Sequence, residues 1–454
     1  MVDAALLEKY NIPVPRYTSY PTVAHWKDSV SILQWEKAFS QQFDAANNKA
    51  GISLYIHLPF CETLCTYCGC NKKISRNHSV EQPYIEAVIK EWQLYLKMMN
   101  PRPVIRELHL GGGTPTFFSA ARLRQLIEAL FKDSDVHPDF EFGFEGHPNN
   151  TTRLHLQTLY DLGFRRVSFG VQDNDPHVQQ AINRIQPFEN VKTVTEQARA
   201  IGYHSVNFDL IYGLPFQSVA SIGKTINQVL TVRPDRVAFY SYAHVPWTSK
   251  GQRLFDENDL PSATEKLQLY RRGKELFLAA GYSDIGMDHF ALPGDELYKS
   301  WKEGTLHRNF MGYTTRHSSM MIGLGVTAIS DLGIAYAQNH KAIRDYYQSV
   351  DAGELAIHKG VFLTAEDMLC KQHILDISCK GKTTLNAQFS PELATYTVPQ
   401  LQKFQADGLI IWDGATVVLT ETGRSFLRNV CSAFDIHLQK AAPRAETLQF
   451  SKAV

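Results

Sequence analysis

The chain has 454 residues, of which 44% are hydrophobic and 20% are charged, and its 46 lysines and arginines balance its 46 aspartates and glutamates. This length and composition predict a large folded core with one or two smaller units, and they exclude a disordered chain. Without a net charge there is no global field to attract nucleic acid or an anionic membrane surface, so we expect neither as a partner.

The start of the chain and its cysteines indicate the compartment. Residues 1–10 show neither a basic region nor a sustained apolar stretch, and no later stretch is long and apolar enough to span a bilayer. Four of the seven cysteines fall within ten residues, and the other three are scattered. This distribution differs from a disulfide framework and suits a reducing environment, so we predict a cytoplasmic protein.

The first fifty residues are interrupted by Pro13, Pro15 and Pro21, which disfavour a continuous helix. We predict an amino-terminal arm over residues 1–50 that is extended and leads into a short helix.

From residue 52 to residue 280, apolar runs that suit strands alternate with stretches of helical periodicity. The predicted strands are residues 52–58, 105–110, 140–145, 166–171, 205–211 and 236–242, and the predicted helices are residues 80–99, 120–131, 152–162, 191–201, 218–230 and 263–280. The alternation predicts an α/β fold with parallel strands and right-handed crossovers. An open doubly wound sheet is the alternative. Polar residues follow successive strands, as at the carboxyl-terminal mouth of a barrel, and this favours a partial six-unit barrel over residues 51–285.

The alternation stops after residue 285. Residues 286–361 are rich in polar residues and glycine, and we expect this connecting region to line the active site. Residues 362–454 suit a mainly α-helical, winged-helix-like domain, with a helix over 398–409 and a hairpin over 410–419. Because this domain lacks a basic run, we expect a structural lid and not a DNA-binding unit.

The cysteine loop, residues 61–70, carries the most informative local pattern. Cys61, Cys65 and Cys68 have the spacing Cys-x3-Cys-x2-Cys, so three thiolates of one loop can bind a metal cluster and leave one metal open. Structural zinc is an alternative, but it needs four ligands, usually from separated Cys-x2-Cys pairs, and the sequence has no second pair. Inert buried thiols are a further alternative.

The cysteine loop resembles the signature of radical S-adenosylmethionine (SAM) enzymes, in which three cysteines hold a 4Fe-4S cluster and SAM chelates the remaining iron. The segment Gly-Gly-Gly-Thr-Pro at 111–115 is similar to the glycine motif of that superfamily, which approaches SAM closely through its backbone. Other motifs narrow the resemblance to the oxygen-independent coproporphyrinogen III oxidases over nearly the whole chain. These motifs lie at residues 16–22, 68–72, 209–215, 286–290, 307–310, 312–315 and 336–339.

The resemblance implies a role for individual residues. The cluster ligands would be Cys61, Cys65 and Cys68, and Cys70 would lie near the site without being a ligand. Two SAM molecules are expected. Tyr55 and Glu145 would contact the SAM on the cluster, with Ile329 close by. The positions that match mainly the second SAM site are Gly112, Gly113, Thr114, Gln172, Arg184, Asp209 and Ala243, with Tyr67 nearby. The catalytic candidates are Tyr55, Glu145, Phe310 and Ile329.

The resemblance also implies the reaction. Two propionates of coproporphyrinogen III would be oxidatively decarboxylated to vinyl groups without oxygen, giving protoporphyrinogen IX in heme biosynthesis by way of a 5′-deoxyadenosyl radical. An electron donor such as flavodoxin or ferredoxin would be needed, and we expect a monomer. Arg16 and Arg308 are our candidates for binding the substrate carboxylates. A radical SAM heme-binding chaperone or a heme-degrading relative is the alternative.

Two positions depart from the family pattern. His147 stands where the family usually has an acid, and Met311 stands where a glutamine is usual. We interpret His147 as a local hydrogen-bonding residue and Met311 as a packing residue. His57 and His109, which lie within apolar strands, are interpreted as core histidines.

Overall fold

The computed structural model describes residues 4–247, 249–385 and 390–440. The first residues of the predicted arm (1–50) and the last residues of the predicted carboxyl-terminal domain (362–454) lie outside this description, as do two short internal segments.

Strands and helices alternate through the first part of the chain, as predicted. The strands are β1 (Ile52–Leu58), β2 (Phe60–Cys61), β3 (Lys73–Ile74), β4 (Val104–Gly112), β5 (Asp135–Gly146), β6 (Arg166–Gln172), β7 (Ser205–Tyr212), β8 (Arg236–Ser241), β9 (Ser283–Gly286), β10 (His289–Ala291), β11 (His307–Asn309), β12 (Gly312–Thr314), β13 (Met321–Leu324), β14 (Ile329–Asp331), β15 (Ala335–Asn339), β16 (Ile357–Phe362), β17 (Lys382–Thr384), β18 (Ile410–Trp412) and β19 (Thr416–Leu419). The helices are α1 (Ala4–Tyr10), α2 (Ile32–Asn47), α3 (Glu81–Leu96), α4 (Ala120–Lys132), α5 (Arg153–Asp161), α6 (Pro176–Ala181), α7 (Phe188–Ile201), α8 (Val219–Val232), α9 (Ala263–Ala279), α10 (Glu296–Glu303), α11 (Ile343–Asp351), α12 (Ala365–Lys380), α13 (Pro391–Ala406), α14 (Glu421–Arg424), α15 (Leu427–Ser432) and α16 (Ile436–Lys440).

All six predicted barrel strands are present and differ from the prediction only at their ends. Strand β1 agrees residue for residue, whereas β5 begins at Asp135 because its first residues pair with the start of β4. The sequence pattern does not indicate α6, since a helix of six residues is too short to show an apolar period. Helix α2 has sixteen residues and is longer than the short helix that we predicted.

The six strands form the parallel centre of one twelve-stranded sheet. Its order is β16-β15-β14-β13-β1-β4-β5-β6-β7-β8-β10-β9, and every neighbouring pair from β13 to β8 is parallel. Alternate strand residues, such as Leu54 and Ile56, are fully buried in the main core together with helix residues such as Val88. Among the described strands, β16 and β9 do not pair with each other, so the α/β barrel is partial, as predicted.

The connecting region extends this sheet instead of leaving it. Strand β13 pairs in parallel with β1, with Tyr55 opposite Gly323, and β14, β15 and β16 follow as antiparallel neighbours. At the other edge β10 pairs antiparallel with β8. Strands of three to five residues carry too little alternation to be recognised in the sequence.

The amino-terminal arm and the carboxyl-terminal domain share a second core. Tyr10, Tyr17 and Tyr20 are buried among Ile374, Val430 and other apolar residues of the domain. Strands β18 and β19 form the predicted hairpin after α13. In the part of the chain that the structure describes, no helix combines the length and apolar character needed to cross a bilayer.

Candidate active site

Two layers of polar side chains line the barrel interior. The upper layer lies near the carboxyl ends of the strands, beside the cysteine loop, and consists of Tyr55, His57, His109, Glu145, Ser168, Asn207 and Asp209. The lower layer lies near the amino ends and consists of Ser53, Glu107, Glu141, Arg166 and Arg236. Because strands are parallel, each layer collects residues that are far apart in the sequence.

Neighbouring segments hold the main chain of the cysteine loop in place. The Thr66 amide donates to the Ile182 carbonyl at 3.0 Å, and the Asn183 side chain donates to the Leu64 carbonyl at 2.7 Å. The ammonium group of Lys72 donates to the Cys68 carbonyl at 2.8 Å. The loop is therefore fixed before any cofactor binds.

The thiols of the cysteine loop receive hydrogen bonds from residues of the predicted SAM sites. Thr114 Oγ1 donates to Cys61 Sγ at 3.3 Å, and Arg184 Nη1 donates to Cys65 Sγ at 3.6 Å. Burial raises the pKa of the Cys61 thiol to about 11, whereas a hydrogen bond with Cys70 is the main cause that lowers the pKa of the Cys68 thiol to about 6. Cys70 is exposed beside Cys68, as expected of a cysteine near the site.

The glycine segment packs against the cysteine loop at the end of β4. A Cβ on Gly113 would lie 2.4 Å from the Pro59 carbonyl oxygen, and one on Gly112, whose φ is +120°, would lie 2.8 Å from the His57 ring. A Cβ on Gly111 would lie 3.0 Å from Glu145 Oε1 and the Tyr55 ring. Gly112 and Gly113 therefore have no room for a side chain, and their amides donate to Glu145 and to the Leu58 carbonyl.

Tyr55, His57, His109 and Glu145 form a series of contacts across the upper layer. His57 Nε2 donates to the Asn71 carbonyl at 2.9 Å, so its Nδ1 is left to accept from the Tyr55 hydroxyl at 3.1 Å. The Tyr55 ring is stacked on His109, whose Nε2 lies 3.4 Å from Glu145 Oε1. Glu145 Oε2 accepts only a long bond from the Gly112 amide, at 3.3 Å, and its side chain is 44% exposed. Glu145 can therefore accept a further donor.

Gln172 and Asp209 lie on the next strands around the mouth, and Arg184 follows helix α6 between these strands. Asp209 accepts from Ser168 Oγ at 3.0 Å and Asn207 Nδ2 at 2.9 Å; burial, and then the charge of Glu145, raises its pKa to about 6. Arg184 Nη2 donates to the Gly170 carbonyl at 2.6 Å, and its buried Nε has no partner among the described residues. Gln172 has a left-handed backbone, with φ +66°. These groups can bind an amino acid or ribose moiety.

Gln252 is a site residue that the sequence analysis missed. Its side-chain nitrogen donates to the Tyr67 carbonyl at 3.1 Å and to the Ala243 carbonyl at 3.2 Å, and it thereby ties the cysteine loop to the end of β8. Gln252 belongs to no recognised motif. The one feature of the sequence that could have indicated it is its position after the sixth strand.

Two predicted catalytic residues belong to the connecting region, where Ile329 begins β14 and Phe310 follows β11. The backbone of Ile329 lies against Gly323, next to Tyr55 in register. Phe310 follows β11 and packs its ring against Trp26 and Tyr336, with centroids 5.9 Å and 5.6 Å away. Its recorded ring contacts are thus with the arm and β15 and not with the cysteine loop.

His147 and Met311 occupy positions that agree with our interpretation of them. His147 Nδ1 accepts from the Asn149 amide at 3.1 Å, and burial, followed by Arg184, lowers its pKa to about 2. His147 is therefore a neutral hydrogen-bonding residue. Met311 lines a small cavity beside Glu107, Glu141 and Tyr313.

The charged side chains of the lower layer are paired with one another and with nearby hydroxyl groups. Arg166 Nε donates to Glu141 at 3.1 Å and Thr315 donates to the other Glu141 oxygen at 2.5 Å; burial raises the pKa of Glu141, but the nearby Arg166 and Arg236 outweigh it and lower the pKa to about 2. Glu107 accepts from the hydroxyls of Ser53 and Thr314. Arg236 and Asp295 form an ion pair at 2.5 Å.

The upper end of the barrel fits a cluster and a nucleotide-like cofactor. The donor set offers three thiols on one loop, and the glycine segment beside them carries no side chains that would obstruct a ligand. In the described parts of the chain no three His, Cys, Asp or Glu side chains converge tightly enough for a single metal ion. A multi-iron cluster does not require such convergence, because each of the three thiolates binds a different iron.

Comparison with known proteins gives consistent matches. Residues 55–229 match the family model of the radical SAM superfamily. The oxygen-independent coproporphyrinogen III oxidase of Pseudomonas aeruginosa is 38% identical to this chain, and the alignment covers 100% of this chain and 98% of that protein. The corresponding oxidase of Helicobacter pylori is also 38% identical, and the alignment covers 96% of this chain and 97% of that protein. The solved structure of the coproporphyrinogen III oxidase from Escherichia coli superimposes with a TM-score of 0.89 at 36% identity, covering 96% of this chain and 99% of its own.

Proposed function

The chain belongs to the family of oxygen-independent coproporphyrinogen III oxidases within the radical SAM superfamily, and from this we propose its reaction. It oxidatively decarboxylates two propionates of coproporphyrinogen III to vinyl groups, giving protoporphyrinogen IX in heme biosynthesis. It is an oxidoreductase that uses a 4Fe-4S cluster and SAM. We propose that it works in the cytoplasm as a monomer.

The cofactors would supply the redox chemistry: when bound, the reduced cluster and SAM provide a 5′-deoxyadenosyl radical that removes a hydrogen atom from the propionate β-carbon, and loss of carbon dioxide and of one electron to an electron acceptor then leaves the vinyl group. Cys61, Cys65 and Cys68 hold the cluster. Glu145, whose oxygens have only long hydrogen bonds, accepts from the ammonium or ribose of the first SAM, and Tyr55 lies against it. These residues orient the cofactor and leave the chemistry to it.

A second SAM is held by the groups that follow β6 and β7. Arg184 supplies a guanidinium for a carboxylate, and Asp209 accepts from an ammonium or hydroxyl group. Gln172, Thr114 and the Gly112–Gly113 backbone complete this pocket, and Gln252 fixes Tyr67 and Ala243 around it.

The fold also excludes water and oxygen. The arm packs its tyrosines into the core of the carboxyl-terminal domain, and Trp26 of the arm is stacked on Tyr336 of β15 at 5.2 Å. Arm and domain thus close one side of the barrel as a lid, which protects a radical from quenching.

The observation that carries this proposal is the position of the three-cysteine loop beside the glycine segment and beside Glu145, whose hydrogen bonds are long. A heme-binding chaperone is not favoured, because relatives named as the oxidase align over the whole chain. The test is anaerobic turnover of reconstituted protein with a reductant, SAM and coproporphyrinogen III, followed by mass spectrometry. We expect 5′-deoxyadenosine coupled to a vinyl product. Heme binding without turnover would support the chaperone instead.

The electron donor is proposed to be a small acidic one-electron carrier, such as flavodoxin or ferredoxin, that docks on the cysteine loop. The whole chain is neutral, yet exposed cations surround this loop: Lys73, Arg76, Lys250, Arg253 and Lys341. Glu62 is the acid within the loop. Trp247 and Leu254, which are 50% and 74% exposed, add apolar area to the same face. A basic rim around an apolar centre suits an acidic carrier.

Charge reversal tests this surface. In the double variant Lys73→Glu/Arg76→Glu, turnover driven by reduced flavodoxin should fall about tenfold and lose its salt dependence. Turnover driven by dithionite should not change, because a small reductant needs no docking. Lys132→Glu, at the exposed last residue of α4, serves as the matched control. An equal loss with both reductants would show damage to the cluster and would contradict the docking surface.

A further inference from the structure

A short segment after helix α6 is hydrogen-bonded to the cysteine loop. Residues 182–187 form this bridging segment. The Ile182 carbonyl accepts from the Thr66 amide at 3.0 Å, and Asn183 Nδ2 donates to the Leu64 carbonyl at 2.7 Å. Both partners lie between the first and the third cysteine of the loop, so the position of the bridging segment bears on the position of the thiols.

Arg184 extends this connection to a thiol. Its Nη1 donates to Cys65 Sγ at 3.6 Å, and its Nη2 donates to the Gly170 carbonyl at 2.6 Å. A hydrogen bond to a thiolate sulfur of an iron–sulfur cluster stabilises the negative charge that reduction adds, and it thereby raises the reduction potential of the cluster. Arg184 is therefore placed to make reduction of a cluster on this loop easier.

Gln179 of α6 holds the bridging segment in turn, and only 6% of this residue is exposed. Its Nε2 donates to the carbonyls of Asp173 at 2.9 Å and Gln186 at 2.8 Å, and its Oε1 accepts from the Gln186 amide at 2.9 Å. The Gln179 carbonyl accepts from the Arg184 amide at 2.9 Å. Together these bonds fix the bridging segment to α6 and to the residue that follows β6.

The residue that follows β6 is itself firmly held. Asp173 is fully buried. Its Oδ1 accepts from the Asp175 amide at 2.7 Å and from Thr225 Oγ1 at 2.8 Å, and its Oδ2 accepts from Gln217 Nε2 at 2.5 Å. Thr225 lies in α8, so the next βα unit fixes the point to which Gln179 ties the bridging segment.

We propose that Gln179 is a positioning residue that sets the reduction potential of the cluster through Arg184. This inference rests on the proposed function, because it assumes a 4Fe-4S cluster on the cysteine loop. The described hydrogen bonds of the Gln179 side chain are with backbone groups and not with a thiol. Gln179 therefore acts by holding Arg184 against Cys65. A purely structural role would lower stability without shifting the potential.

The test is a redox titration of reconstituted protein without SAM or tetrapyrrole, followed by electron paramagnetic resonance of the reduced cluster. Gln179→Met keeps the length of the side chain and removes its three hydrogen bonds. We expect the equilibrium constant for reduction to fall about tenfold, which shifts a one-electron potential by about 59 mV to more negative values. Gln180→Met makes the same exchange at the exposed neighbour in α6 and should leave the potential unchanged.

A double-mutant cycle shows whether Gln179 acts through Arg184. Arg184→Met should shift the potential in the same direction and further, because it removes a positive charge together with the hydrogen bond. In the Arg184→Met background, Gln179→Met should add almost no shift, since the hydrogen bond to Cys65 is already absent. Additive shifts would overturn the proposal, and so would an unchanged potential in a folded Gln179→Met protein with normal iron content.

A second variant covers the case in which Gln179→Met does not fold. Gln179→Asn keeps the amide but is one methylene too short to reach both carbonyls, and it should shift the potential in the same direction; an unchanged potential here also overturns the proposal. Iron content and circular dichroism report cluster loading and folding. None of these measurements needs turnover. The expected shifts in protein that fails to decarboxylate coproporphyrinogen III would contradict the proposed reaction and support the role of Gln179.

Discussion

The upper and lower layers of the barrel each contain two carboxylates, but the hydrogen bonds of these carboxylates differ. In the lower layer, Glu141 and Asp295 accept from arginines and hydroxyls at 2.5–3.1 Å. In the upper layer, the contacts of Glu145 are 3.3–3.4 Å long, and beside that layer Arg184 Nε has no partner among the described residues. Buried charge alone therefore does not identify the active site. The hydrogen-bonding capacity that Glu145 and Arg184 leave open beside the cysteine loop favours that end of the barrel, because a ligand there can complete it.

The cysteine loop above the upper layer allows the most drastic test. Cys61→Ser, Cys65→Ser and Cys68→Ser should each lose iron and all turnover, whereas Cys70→Ser should keep the iron. The measurement is iron content together with the visible absorbance of anaerobically purified protein. Equal iron loss in all four variants would refute a three-ligand cluster site.

A substitution that breaks an ion pair in the lower layer should lower the stability of the folded protein. Asp295→Asn leaves the buried Arg236 without its charged partner, and we expect the free energy of unfolding to fall by about 3–5 kcal/mol. Denaturant titration measures this change. Any variant that remains folded should keep its KM for SAM, and a selective change in KM would show that the lower layer is functional after all.

A change in the upper layer should act on activity. Glu145→Gln keeps the shape of the side chain but removes its charge, and we expect formation of 5′-deoxyadenosine to fall about 100-fold, since groups that position or stabilise charge contribute on this scale. The melting temperature should stay within a few degrees, because Glu145 makes only long contacts. A large drop in melting temperature with normal activity would reverse the distinction between the layers.

The pH dependence of stability gives a smaller test in the lower layer. Burial raises the pKa of Glu107 to about 7, so the folded protein keeps this proton at pH values where the unfolded chain has lost it. The raised pKa of Glu107 contributes to the free energy of unfolding. This contribution is fully present below about pH 4.5 and is lost as the pH rises through 7, and the loss is at most about 3 kcal/mol. Glu107→Gln should therefore lose less stability than the wild type between pH 5 and pH 7.5. Parallel stability curves from denaturant titrations would contradict this.

Local patterns in the sequence predicted much of this molecule. The strands over residues 52–58 and 205–211 and the helix over 263–280 lie where the apolar periodicity indicated them. The cysteine loop was recognisable because its residues are contiguous, and a cluster site on one loop needs no tertiary information to be seen. Short strands such as β14 and the helix α6 were not recognisable, since three to six residues hold less than two full periods.

The sequence by itself determined the alternation of strands and helices, the cysteine loop, the glycine segment and, through the resemblance, the family. The tertiary structure alone decided which buried charges are satisfied and which are free. Arg16 and Arg308 were equivalent candidates in the sequence, but Arg16 donates to the Ser241 carbonyl, whereas two nitrogens of Arg308 lack a partner in the described structure. Likewise, Gln252 joins Tyr67 to Ala243 without any local signal. Hydrogen-bond partners come from residues distant in the chain, and so no local pattern can reveal them.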